Sequence, residues 1–402
     1  MKKGWQTKQL GELAELRGRI GWRGLTAKEY TKSGPLFLSV HSLNYGDYVD
    51  FRDAFHISEE RYIESPEIVL KKDDVLICKD GAGIGKLGIV GELPDSTTIN
   101  SSLLLIRSRK DILPKFLYRC LTSPYFQDIV QSRLNGATTP HLYQRDITEF
   151  PIVLPPLPEQ QRIVGLLDEA FAGLATAQAN AEKNLQNARA LFESHLQSVF
   201  TQRGEGWVEK HLKEVCEKIT DGTHQTPKYF DEGTVFLSSR NVTSGVIDWD
   251  RIKYIDTKQH LEMHRRVAPR RDDILLAKNG TTGVAAIVDR DTTFDIYVSL
   301  ALLRALPVIR PRLLLQFINS PAAKIQFNKR LKGVGVPNLH LEEIREVRVA
   351  FPSDLGEQDR VIAGLDDLHT ETQRLQTLYQ QKLAALGALK KSLLHQAFSG
   401  SL

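Results

Sequence analysis

The chain has 402 residues, a charged fraction of 25% and a net charge of +4, which allows two or three domains with cores of their own. That mild basicity excludes a histone-like binder but permits DNA contact through local patches. Cys78, Cys120 and Cys216 lack paired or metal-ligand spacing, the opening MKKGWQTKQL lacks a signal peptide's apolar core, and no apolar run is long enough for a membrane span, so a soluble, cytoplasmic protein with reduced thiols is expected.

In chain order, short β-rich runs bounded by Gly, Asp and Pro are predicted over residues 69–79, 87–91 and 102–107, with Asp73 and Asp74 in a charged turn before a strand. Ser123 followed by Pro124 marks a short helix, as N-cap and first helical position. Pro151, Pro155, Pro156 and Pro158 form a stiff joint. Beyond it, apolar side chains fall at Ile163, Leu167, Ala170, Leu174, Ala177, Ala181, Leu185, Ala188, Phe192 and Val199, a helical stripe with spacings of three and four. A flexible joint at 203–206 ends it.

The same series then returns. GWQTKQLGEL at Gly4 reappears as GWVEKHLKEV at Gly206, and KKDDVLICKDG ending at Gly81 as RRDDILLAKNG ending at Gly280. LFLSVHSL at Leu36 matches VFLSSRNV at Val235, and Ser123-Pro124 matches Ser320-Pro321. NGATTPHL at Asn135 matches KGVGVPNL at Lys332, and EQQRIVGLLDE at Glu159 matches EQDRVIAGLDD at Glu357. The offset stays between 197 and 202 residues, so strands are expected again over 274–278, 284–289 and 298–303. The second helix has apolar positions at Val361, Leu365, Leu368, Leu375, Leu378, Leu386, Leu389, Leu393 and Ala397. Each helix would span roughly 60 Å at about 1.5 Å per residue, and one narrow seam on so long a helix calls for a partner helix in a coiled coil.

The expected fold is α+β: two similar globular modules, 1–157 and 204–355, and two long helices, 158–203 and 356–402, paired as an antiparallel coiled coil with pseudo-twofold repetition. Residues 83–88, GIGKLG, match a dinucleotide fingerprint, but a β-rich GIV follows where a helix is required. Lys86 is followed by Leu87 rather than Ser or Thr, so a phosphate loop fails too; the glycines read as a turn for close backbone approach. No amino-methylation motif, metal-nuclease motif, zinc-spaced histidine pair or Gly-x-Ser-x-Gly elbow is found, and no metal site is expected.

What remains are loops rich in basic, amide, hydroxyl and aromatic groups. In the first module the candidate DNA contacts are Arg17, Arg19, Arg23, Lys79, Lys86, Thr138, Thr139, His141, Tyr143 and Gln144. In the second they are Thr223, His224, Gln225, Lys228, Tyr229, Arg240, Asn241, Lys278, Asn279, Thr281, Asn338 and His340. Arg, Asn, Gln and Lys read base edges, while Lys, Thr and backbone amides hold phosphates. Any single loop also fits an ordinary solvated loop; the weight lies in corresponding loops whose content differs between halves.

The repeated module-plus-helix plan, with its GWQTKQLGEL/GWVEKHLKEV openings, DDVLICKDG/DDILLAKNG and GATTPHL/GVGVPNL turns and EQ-x-R helix starts, resembles the specificity subunit of Type I restriction-modification enzymes. The second half replaces the Pro155–Pro158 joint with PSDLG, so the two joints differ in stiffness. The resemblance implies two target recognition domains on double-stranded DNA, with no catalysis by this chain. It also implies two docked modification subunits using S-adenosylmethionine, and restriction subunits using ATP and magnesium. Two other readings stay open here: an enzyme with an unrecognised site, and a coiled-coil scaffold that binds proteins without DNA. A basic face shared by both modules would favour DNA.

Overall fold

The computed structural model describes residues 4–19, 25–134, 141–331 and 338–402. Two compact units emerge, Met1–Ala181 with Gln381–Leu402, and Glu182–Gln380. The first module runs β1 (Gln6–Gln9), α1 (Leu10–Leu13), β2 (Ala14–Gly18), β3 (Thr31–Leu38), β4 (Phe55–His56), α2 (Glu59–Ile63), β5 (Val75–Cys78), β6 (Leu87–Ile89), β7 (Thr97–Ile99), β8 (Leu103–Ser108), α3 (Pro114–Leu121), α4 (Pro124–Leu134), α5 (Gln144–Thr148) and β9 (Pro151–Leu154). The long helix α6 (Leu157–Thr201) follows. The second module repeats the order as β10 (Trp207–His211), α7 (Leu212–Val215), β11 (Cys216–Asp221), β12 (Thr234–Leu237), β13 (Lys253–Ile255), α8 (Thr257–Val267), β14 (Ile274–Ala277), β15 (Ala285–Ile287), β16 (Phe294–Ile296), β17 (Leu300–Ala305), α9 (Pro311–Asn319), α10 (Pro321–Asn328), α11 (Leu341–Arg345) and β18 (Arg348–Pro352), before α12 (Leu355–Ser399).

Among the described residues the sheets correspond strand for strand. The orders β2-β8-β5-β6, β4-β3-β7 and β1-β9 return as β11-β17-β14-β15, β13-β12-β16 and β10-β18. The central strand β5 is apolar without interruption because its sheet is covered on both faces. Alternation still sorts its side chains. Val75 and Ile77 join Leu104, Ile106 and Phe116 in one core, while Leu76 and Cys78 join Leu38, Ile99 and Leu105 in another. In the second module Ile274 and Leu276 face one core and Leu275 and Ala277 the other.

The charged turns prove to be buried anchors. Asp73 and Asp272 take the left-handed conformation, at φ 71° and 68°, which turns the chain sharply into β5 and β14. The next residue, Asp74, accepts from the Lys71 amide at 2.7 Å and from Arg107 Nε and Nη2 at 2.7 and 2.8 Å. Asp273 does the same with the Arg270 amide and Arg304. The two bidentate pairs are one device used twice. The Ser-Pro helix starts are also present, with Ser320 Oγ accepting from the Ala323 amide at 3.2 Å.

Each EQ-x-R motif is a lock between helix and module. Gln160 is fully buried; its Oε1 caps the Leu113 amide at 2.8 Å, and its Nε2 donates to the carbonyls of Asp111 and Pro155. Gln358 repeats this with the Arg310 amide at 2.8 Å and the carbonyls of Val308 and Pro352. Truncating Gln358, itself 0% exposed, takes away the side-chain partner of one amide and two carbonyls. We expect Gln358→Ala to lower stability by about 3 kcal/mol, read from chemical denaturation of the intact chain. A loss below about 1 kcal/mol would show that the lock contributes little.

Both long helices are 45 residues, each starting one residue before and ending two or three residues short of the expected 158–203 and 356–402. In the first unit the start of α6 meets the end of α12: Ile163, Leu167 and Phe171 share a core with Leu394 and Ala397. Arg162 Nη2 reaches the Leu402 carbonyl at 3.2 Å and Lys390 lies 5.0 Å from the Phe171 ring centre, so the pairing is antiparallel. In the second unit the end of α6, with Leu196 and Phe200, meets the start of α12 at Leu365, and Phe192 packs on His369 at 4.7 Å. The seam differs from the predicted stripe. Leu378 and Leu389 are exposed, whereas Phe171, Leu196, Phe200, Leu394 and the polar Thr372 are buried.

Candidate nucleic-acid interface

In the first module, three distant stretches meet. Arg17 lies exposed near the end of β2, and Gln144 Nε2 donates to the neighbouring Leu16 carbonyl at 3.1 Å. The Leu142 amide donates to the Lys79 carbonyl at 2.9 Å, and Asp80 forms a β-bridge with His141, reinforced by a contact between their side chains. His141 stacks edge-on against Tyr143 at 4.6 Å, and Arg145 covers that ring at 5.4 Å. The Tyr143 ring is 54% exposed, which makes it an aromatic platform ringed by cations and amides.

The glycine loop serves this arrangement. A side chain at Gly83 would meet Val40 at 2.7 Å, and Gly85, at φ +86°, gives its carbonyl to Gln127 Nε2 at 3.1 Å. Strand β6 follows directly, so no nucleotide fingerprint forms. The loop presents Lys86 outward, where its Nζ bonds Asn44 Oδ1 at 2.7 Å.

The same bridge stands in the second module. The Leu339 amide donates to the Lys278 carbonyl at 2.9 Å, and Asn279 pairs with Asn338. The loop after β11 is fixed by Gly222, where a Cβ would lie 1.9 Å from the Ile296 carbonyl oxygen. Thr223 then bonds the Ile296 carbonyl at 3.1 Å, and His224, Gln225 and Lys228 project outward. Gln259 clamps the Lys228 backbone by accepting from its amide at 2.9 Å and donating to its carbonyl at 3.1 Å. Beyond this loop Tyr229, Arg240, Arg251, Lys253 and Tyr297 line a cleft of about 610 Å³, with Lys253 Nζ 3.8 Å over the Tyr229 ring. Thr281 and His340 are exposed on adjoining loops.

Three predicted residues turn inward. Arg19 is 4% exposed; its Nε donates to the Ile99 carbonyl, its guanidinium faces Phe37, and burial together with Arg61 pulls its pKa down. Asn241 is buried in a turn, where its Oδ1 accepts from the Ser238 amide and its Nδ2 donates to the carbonyls of Asp248 and Arg251. Lys278 is buried against Asp221 at 3.1 Å, and Arg266 and His224 also contact that carboxylate. Lys79 is largely covered and lies 3.5 Å from Asp80. Arg23, Thr138 and Thr139 lie outside the described residues. The same loops and cleft also carry Arg145, Arg251 and Lys253, which are not among the candidates singled out from the sequence.

The family model for the Type I restriction modification DNA specificity domain matches residues 2–184 and again 204–383. The chain belongs to this family. Curated relatives include the Type I restriction enzyme EcoBI specificity subunit of Escherichia coli, 23% identical over 76% of this chain and 69% of that protein. The EcoKI specificity subunit of Escherichia coli strain K12 is 20% identical over 100% of this chain and 90% of its own length. Among solved structures, a chain described under "Structural basis underlying complex assembly and conformational transition of the type I R-M system" aligns with TM-score 0.80 at 20% identity, over 100% of this chain and 99% of that one. The HsdS subunit from Thermoanaerobacter tengcongensis aligns with TM-score 0.64 at 19% identity, over 100% and 98%. These two likenesses concern the fold. The duplicated specificity domains make this a sequence-specific DNA-binding subunit. No helix among the described residues is long and apolar enough to cross a membrane.

Proposed function

We propose that each module reads one half of a split, asymmetric DNA target, and that α6 and α12 set the spacing and carry docked methyltransferase subunits. The observation that supports this is one scaffold bearing two different loop sets. The bridges Asp80–His141 and Asn279–Asn338 occupy the same place, yet the exposed groups around them differ. Arg17, Lys86, Tyr143, Gln144 and Arg145 would serve the first half-site; Gln225, Lys228, Tyr229, Arg240, Lys253 and His340 would serve the second. Arginine and amide side chains suit base edges, and lysines suit phosphates. On this reading the chain itself contributes no catalysis. S-adenosylmethionine, ATP and magnesium belong to the modification and restriction subunits, and the complex works on cellular DNA in the cytoplasm. A protein scaffold without DNA readout does not account for exposed cations gathered on both modules.

Arg17→Ala and Arg240→Ala test the assignment. Each is expected to relax recognition of one half-site only, by about 1–3 kcal/mol, in methylation mapping of the reconstituted complex. Uniform weakening across all sequences would mean phosphate contact, and the base-reading role would be withdrawn.

A further inference from the structure

The second module holds a buried carboxylate that the first lacks. Asp295 on β16 pairs with Phe236 as Thr98 on β7 pairs with Phe37, so the two residues occupy one position in the repeat. Thr98 is neutral, fully buried, and donates to the Ile68 carbonyl at 3.4 Å. Asp295 is equally deep, at 1% exposure, and brings a charge with it. Its oxygens face His260 Nδ1 at 2.7 Å and His264 Nδ1 at 3.1 Å. A carboxylate taken out of water needs a compensating cation.

We infer that His260, His264 and Asp295 form a transition-metal site of the zinc class. The sequence reading found no zinc-spaced histidine pair; His260 and His264 correct that, because four residues apart on α8 they share one face. The third donor comes from a strand 31 residues onward and is invisible without the fold. The donor atoms of the triad lie within 4.8 Å of one another. Ligands about 2.0–2.2 Å from zinc stand about 3.3 Å apart around a tetrahedral centre; the contacts to Asp295, at 2.7 and 3.1 Å, would open slightly, and the triad as a whole, within 4.8 Å, would draw in toward that spacing. Two imidazoles and one carboxylate suit zinc, cobalt or nickel better than magnesium or calcium, which prefer oxygen. Asp295 also borders a cavity of about 330 Å³ lined by Gln225, Gln259, Glu262 and Arg266, which His260 and His264 do not line.

The metal would be structural. It ties α8 to β16, and Gln259, next to His260, holds the backbone of Lys228. Binding would therefore stiffen the loop 223–229 whatever that loop contacts. The inference is independent of DNA recognition, and its test uses no DNA.

The full-length chain, with any histidine tag removed and metal stripped by chelator, is titrated with zinc and separately with cobalt. One equivalent of either metal per chain is expected, with a visible cobalt absorption band and a higher Tm. His260→Gln and His264→Gln should each weaken binding by more than about 10-fold, with the cobalt band shifted or lost. His224→Gln, which alters the same cavity wall outside the triad, should leave the affinity unchanged. Asp295→Asn is a third variant; if it fails to fold, the partly exposed His264 still decides. Absence of stoichiometric uptake, or uptake that the His260 and His264 variants leave intact, overturns the site.

Discussion

A chain that stops after Gln380 is expected to lose the folded first unit while the second still unfolds cooperatively. The first unit is completed by the far end of the sequence. Leu394 is 4% exposed and Ala397 0%, both inside the core that holds Phe116, Leu117 and Ile163. Phe398 meets Phe116 edge-on at 5.3 Å, and Leu393 and Leu402 pack against the same core. Burial of a large apolar side chain contributes about 1.5–3 kcal/mol, so removing these residues takes away roughly 6 kcal/mol. That is comparable to the whole stability of many domains, about 5–15 kcal/mol. Circular dichroism melting with limited proteolysis should show residues 1–181 becoming protease-sensitive, and a synthetic peptide of residues 381–402 should restore protection. Leu394→Ala is the milder version, at about 2–5 kcal/mol. If the truncated chain keeps a protected first unit without the peptide, the terminal segment is an ornament on that core.

The repeat made most of the architecture legible, because a duplicated series of turns and strands must fold twice in the same way. The Ser-Pro starts and both long helices follow from local chemistry alone. What resisted reading was phase and burial. Spacings of three and four place a stripe on a helix without saying which face its partner covers, so Leu378 and Leu389 were drawn into a seam that they do not join. Gln160, Gln358 and Thr372 are buried polar groups that any hydropathy pattern assigns to solvent. Among the candidate contacts the difficulty lay with cations. An arginine or lysine in a glycine-rich turn looks the same whether it faces water or a buried acid. Lys278 turns inward because Asp221 stands in the second module where the first has Gly18, and only strand pairing reveals that equivalence. Arg19 turns inward because the Ile99 carbonyl and the face of Phe37 lie within its reach.

Lengthening both long helices is expected to change the spacer of the recognised sequence and neither half-site. The experiment adds four residues after Gln178 and four after Gln376, equivalent positions in the two 45-residue helices. At about 1.5 Å per residue each helix grows by about 6 Å, which at about 3.4 Å per base pair corresponds to about two base pairs. Four residues make a stutter, which unwinds a coiled coil locally while keeping its seam facing the partner, so pairing within each unit survives. The cores that hold the modules to the helices lie elsewhere, around Gln160 and Gln358 near the helix starts and around Phe200 and Ala397 near the ends. Loop chemistry is therefore untouched, and so is the choice of bases. Methylation mapping of cells carrying the lengthened subunit with its partner subunits reads both quantities at once. The same two half-sites with a longer gap would assign the spacing to α6 and α12. An unchanged gap at full activity would place the ruler outside these helices, and altered half-sites would show that the insertion had reached the modules.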